Sequence, residues 1–267
     1  MSTPIGDGSG TGADAEGAFR LGGAIVSLVE PHPGHARAFH RWYERDHFHA
    51  ACMTGPGFFA GRRFVATAAL KALRPPAGRP AWPGDPGRGT FLTLYWLDAD
   101  AQDEAADWSI ERFHALRAQG RIFREADLVH GGFYRVAAVA QRDPDGVPAT
   151  LALDHPFPGV ALTVVETEDP KGLVAWQRDG MANGSAALSV GLAPRPRPEG
   201  TVRGADPNAH PDRMAWLHFS DAPAQTAFAD SFAGHAAALE RAGVGHLRFA
   251  APFLPTVPGT DRYLDEL

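Results

Sequence analysis

Apolar and polar positions fall into short blocks along this chain, and two long stretches repeat the blocks in one order. Residues 23–30 (GAIVSLVE) form a β-branched apolar run that predicts a strand. After the punctuation PHPGH, Phe39, Tyr43 and His47 recur at i, i+4 and i+8, which predicts a helix stacking them on one side. Gly55, Pro56 and Gly57 stop it, because Gly tolerates the left-handed turn and Pro cannot continue the hydrogen-bond ladder. A strand over 62–67, a Pro- and Gly-rich loop over 72–89, a strand over 90–98, a helix over 103–119 and a strand over 131–140 follow. The order is βαββαβ, the ferredoxin-like plan.

Residues 141–158 read as a linker, and then the pattern starts again. GVALTVVE (159–166) aligns with GAIVSLVE without a gap, so Thr163 meets Ser27 and Glu166 meets Glu30. A helix over 174–184 sets Trp176 against Trp42, and a strand over 187–192 precedes a second Pro-rich loop, 193–212. MAWLHFSD (214–221) matches FLTLYWLD and puts His218 at the position of Tyr95; a helix over 222–242 and a strand over 245–253 complete the copy. A repeat in element order, loop position and residue type reads as a duplicated unit. The expected organisation is a disordered tail over 1–20, one ferredoxin-like unit over 21–140, the linker, and a second unit over 159–267. The copies differ where it matters for chemistry: Tyr43 is replaced by Gln177 and His47 by Met181, so an imidazole one turn from a phenol exists only in the first.

The Trp42-Tyr43…His47 pattern, followed by Pro56-Gly57-Phe58 and then Arg62-Arg63-Phe64 at a strand start, resembles the EthD-like branch of the dimeric α+β barrel proteins. The resemblance implies that two units cover each other's apolar sheet faces, here within one chain. The expected fold class is therefore α+β, with two fused ferredoxin-like βαββαβ units forming an intramolecular α+β barrel. It also implies a His at the helix end near the pocket. The family's chemistries include dehydratases, decarboxylases, cyclases, isomerases and cofactor-free monooxygenases.

Composition narrows the classes. The chain has 267 residues, 44% of them hydrophobic, enough for either one large core or two small ones. A net charge of −6 gives no basic excess for nucleic acid or anionic lipid. Cys52 is the lone cysteine, which excludes an internal disulfide and fits a reducing cytoplasm. No apolar run approaches membrane-spanning length.

The expected activity is a cofactor-independent lyase acting on a small aromatic or polyphenolic substrate, with His47 and Tyr43 as acid–base catalysts. In the third strands, alternation puts Thr93 and Tyr95, and likewise Trp216 and His218, on a mixed face, and Leu92, Leu94 and Trp96 on an apolar one. The mixed face is expected to line the barrel, bringing Ser27, Tyr95, Thr163, Trp216 and His218 to the substrate, with Arg63 available for an anionic group. Glu44 and Asp46 read as solvated helix charges. No metal and no cofactor is expected, since His40, Glu44 and His47 along one helix do not converge. The alternatives are a cofactor-free monooxygenase, a non-catalytic ligand carrier, and a haem-dependent oxidoreductase. A small molecule is the expected partner, with pairing into a homodimer left open.

Overall fold

A computed structural model describes residues 19–75, 81, 85, 87–181, 184–195, 210–232 and 234–267. The first half runs β1 (Leu21–Pro31), α1 (Ala36–Trp42), β2 (Phe58–Val65), α2 (Ala68–Lys71), β3 (Phe91–Asp98), α3 (Gln102–Ala118) and β4 (Ala126–Gln141). The second runs β5 (Gly159–Glu166), α4 (Pro170–Met181), β6 (Ala186–Pro194), β7 (Arg213–Ser220), α5 (Ala224–Phe232), α6 (His235–Ala242) and β8 (His246–Pro255). The strands close into one barrel in the order β1-β3-β2-β8-β5-β7-β6-β4, with every neighbouring pair antiparallel. Seven residue pairs join β4 to β6, whereas two join β2 to β8.

Period-two alternation decides what fills the barrel. Val26 and Leu28 of β1, Leu92, Leu94 and Trp96 of β3, Leu162 of β5, Leu217 and Phe219 of β7 and Phe253 of β8 belong to one buried cluster. The apolar face therefore points inward. Here the sequence reading is corrected: Ser27, Tyr95, Thr163, Trp216 and His218 lie on the opposite, helix-facing side. Tyr95 packs with Cys52, Phe58 and Leu97, and Trp216 with Leu173 and Leu239. The reason is closure. A dry interior sealed by eight strands has no partner for a hydroxyl or an imidazole, whereas the helix layer and the surface beside it do.

The expected linker, 141–158, also packs into the barrel. Ala152, Leu153 and Phe157 are buried in the interior cluster, the Trp96 indole donates to the Ala149 carbonyl, and Arg62 donates to the carbonyls of Leu153 and His155. This segment stoppers the barrel. The first Pro-rich loop is drawn into the same core through Ala81, and Arg74 at its start lies over the rings of Phe249 and Phe253. The second such loop falls mostly at 196–209, outside the described residues.

Two local departures follow from tertiary demands. The helix predicted from residue 35 is α-helical only to Trp42 and continues as π-helical turns at Tyr43–His47 and His49–Met53. Such wide turns are often found at functional sites. The helix predicted over 222–242 breaks into α5 and α6. Among the described residues, no helix is long and apolar enough to cross a membrane.

Small-to-large complementarity fixes β7 against β6. A Cβ built on Gly191 would come within 2.8 Å of the Trp216 ring, whose residue is fully buried. Gly191→Ala is expected to cost about 1–3 kcal/mol through overpacking. A urea titration that gave unchanged stability would contradict this packing.

Candidate functional site

In the first half the predicted residues do meet, but as a packed cluster. Tyr43 and Tyr95 approach oxygen to oxygen at 3.4 Å. The His47 ring is stacked on Trp42 at 4.6 Å and touches Tyr43 edge to face at 4.9 Å. This is ring packing, so the expected proton-sharing pair is not formed. Burial pushes the His47 imidazole down to about 4 and the Tyr43 and Tyr95 phenols up, and raises the Cys52 thiol to about 12. All four groups are neutral near pH 7. Around them Phe48, Met53 and Trp108 fill the space between helix and sheet.

Arg63 is buried beneath α1, its guanidinium carbon 4.5 Å from the Tyr43 ring centre and 5.2 Å from that of Phe91. Glu44 is not a solvated charge. It lies 3.6 Å from Arg63 and 3.4 Å from His40, and accepts from the Gly259 backbone. Desolvation, reinforced by Arg63, lowers the His40 pKa. Arg63 Nη1 thus meets His40 and Glu44, while its Nε and Nη2 are buried without a hydrogen-bond partner. Asp46 pairs with Arg121, while Ser27 sits half-buried on β1.

The second half is built differently. A cavity of about 740 Å³ opens between α4, α5 and α6 and the helix-facing side of β5 to β7, lined by Trp176, Gln177, Met181, Ser189, His218, Phe228, Phe232 and His235 among others. Its size lies within the range of pockets for drug-sized molecules, about 300–1,000 Å³. Small residues make the room: Gly180, Gly184, Ser185 and Ala186 line it.

Two imidazoles give the cavity its chemistry. His218 is clamped between hydroxyls, with Nδ1 2.9 Å from Ser189 Oγ and Nε2 3.2 Å from Thr163 Oγ1. A neutral ring serves such a clamp by donating at one nitrogen and accepting at the other. Burial holds His218 neutral, with its pKa lowered to about 3, and His235 likewise at about 4. His235 packs against Phe232 at 4.9 Å and Trp176 at 5.2 Å, and its Nε2 is buried without a hydrogen-bond partner.

Of the residues expected at the substrate, His218 lines this cavity and Thr163 bonds it from beside the cavity, on the opposite side of the sheet from that expected. His235 and Gln177 were missed as site residues. The available signal was the run of small residues in the second copy where the first carries Phe48, Cys52 and Met53.

No protein-family profile matches this chain, and no curated protein is similar to it in sequence. Solved structures are similar in shape. An anthrone oxidase-like protein superposes with a TM-score of 0.51 at 12% identity, over 89% of this chain and 92% of that one. The fold is an α+β barrel. A monooxygenase-like protein of Fusobacterium nucleatum covers 89% of this chain and 94% of its own at 9% identity, with a TM-score of 0.47. A haem-binding protein of Thermus thermophilus covers 92% and 95% at 11% identity, again with 0.47. The lyase expectation is corrected: the barrel that superposes above a TM-score of 0.5 is described as anthrone oxidase-like, and the His47–Tyr43 pair meant to carry elimination is packed ring against ring.

Proposed function

We propose that this chain is an enzyme of the oxidase or monooxygenase kind, with its small, largely apolar substrate bound in the cavity of the second half. The observation that carries the reading is that cavity, walled by aromatic rings and holding a neutral imidazole, His235, whose Nε2 has no partner. A neutral buried imidazole can take a proton from an activated C–H or O–H bond of a bound substrate. The substrate anion formed beside it compensates the imidazolium charge that burial otherwise disfavours. Such an electron-rich anion is the species that passes electrons to dioxygen. His218, locked by Ser189 and Thr163, holds the adjoining wall and orients Ser189.

In this proposal the two halves are tandem ferredoxin-like units, 21–140 and 159–267, on the plan of the EthD-like branch, and the first half serves as the packed counterpart. Both halves have the strand order in which the first strand lies between the third and the fourth.

The decisive experiment is oxygen uptake over a panel of phenols and aromatic ketones, followed by mass analysis of products. His235→Ala is expected to lower turnover at least about hundredfold, the usual scale for removing a general acid–base group, with the fold intact by circular dichroism. Binding without oxygen uptake across the panel would leave a carrier instead of an enzyme.

The unpartnered His235 nitrogen also favours a second reading, haem binding. A neutral imidazole in the wall of a cavity this large could hold haem iron, which would supply one-electron and dioxygen chemistry. His235 would hold the group, with Trp176 and Phe232 flanking it. An absorption spectrum of the purified protein, repeated after titration with hemin, separates the readings: a Soret band abolished by His235→Ala supports haem.

A further inference from the structure

The cavity contains a polar group that neither imidazole accounts for. Gln177 stands on α4 where the first copy has Tyr43; the residue is only 6% exposed, and its Nε2 is buried with no hydrogen-bond partner. His218, which lines the same cavity, has both nitrogens engaged by Ser189 and Thr163. A primary amide left unpaired in a folded interior costs free energy that a ligand can return. The corresponding phenol of the first half does have a partner, Tyr95. The amide is therefore a feature of the open half.

Charge narrows what that ligand is. Among the described lining residues the charged side chains are Asp230 and Arg241, both on exposed positions of α5 and α6 and opposite in sign. The deeper polar groups are uncharged hydroxyls, the amide and two neutral imidazoles. A buried anion would find no cation there, and a buried cation no carboxylate.

We propose that Gln177 is the specificity-determining residue of the second-half cavity, which selects uncharged aromatic molecules bearing a carbonyl oxygen and receives that oxygen on the Gln177 amide. The inference rests on the cavity being the ligand site, as in the functional reading above, but not on any turnover there. A ligand without a hydrogen-bond acceptor leaves the amide unpaired, and an anionic one loses its hydration without gaining a counter-ion. Selection is thus by polarity and not by ring size.

The test is calorimetric titration at pH 7.5 with three probes of one shape: acetonaphthone, ethylnaphthalene and naphthoate. Acetonaphthone is expected to bind about tenfold more tightly than ethylnaphthalene, the scale of one net hydrogen bond, and naphthoate most weakly. Gln177→Leu should erase the ketone's advantage while leaving ethylnaphthalene within about twofold, since one hydrogen bond and little apolar contact is removed. If that variant does not fold, Gln177→Met, closer in length, serves instead. Tightest binding by naphthoate, a ketone advantage that survives loss of the amide, or no binding of any probe would overturn the inference. Binding in the expected order with no oxygen uptake would uphold it and sink the oxidase reading alone.

Discussion

Acidification from neutral pH is expected to unfold this chain cooperatively, with stability falling steeply from about pH 6 and the transition complete near pH 4, because buried imidazoles must gain protons to leave the fold. His218 is held at about 3, and His47 and His235 at about 4, against an ordinary value of 6.5. Between those limits the unfolded chain binds more protons than the native one, so stability rises with pH through the window and is fully present above 6.5. Each such proton is worth about 1.4 kcal/mol per pH unit. Three would give roughly 4 kcal/mol per unit, and because His47 and His235 keep some solvent exposure, screening brings the expected slope nearer 2–4. Over two or three units that removes about 4–12 kcal/mol, most of a typical folding free energy of about 5–15 kcal/mol.

Glu166 cannot contribute in the upper part of this window. Its hydrogen bonds to Arg248 and Arg213 lower its pKa to about 2, so the stability it adds is present above its ordinary range and is lost only as pH falls toward 2. Urea midpoints measured from pH 7.5 to 4.5 check the slope, and His218→Asn should flatten it by about one proton's worth. Stability that stayed level down to pH 4.5 would refute the buried neutral imidazoles.

Removing the ring of Phe157 is expected to be as damaging as a mutation in the middle of a strand. Phe157 is 2% exposed, lies in the interior cluster, and meets Phe219 at 5.5 Å between ring centres. Truncating a buried Phe to Ala costs about 3–5 kcal/mol by lost transfer energy and residual cavity. For a chain of this size that corresponds to a melting temperature lower by roughly 6–20 °C. A tether between independent bodies would show almost no change, so differential scanning fluorimetry of Phe157→Ala decides whether residues 141–158 are structural.

Much of the architecture could be read from sequence because it depends on local pattern. Period-two runs located the strands, and Gly and Pro marked most element ends. What the pattern cannot supply is a global choice. Alternation in FLTLYWLD separates Thr93 and Tyr95 from Leu92, Leu94 and Trp96, but which set faces inward depends on whether the sheet closes and on what covers it. The same ignorance misplaced Thr163 and His218 by one sheet thickness. The π-helical turns were hidden because Tyr43 and His47 satisfy a helical period; Phe48 and Met53 of that stretch lie against Gly61, and Phe48 against Tyr95. His235 carried no motif. Its significance lies in what surrounds it, a space created by glycines and serines, and absent bulk leaves a weaker trace in sequence than a charged or aromatic residue does.

The position of β8 in the barrel bears on how the protein is made. Strand β8 sits between β2 of the first half and β5 of the second, so β2 has no neighbour on that side until β8 has emerged from the ribosome. Until then the growing polypeptide presents an open sheet, with Phe64, Leu92 and Leu94 uncovered along its concave face. An unpaired edge beside an apolar surface is a site for joining another chain. Closure of the barrel thus waits for β8, and the hazard lasts as long as the wait.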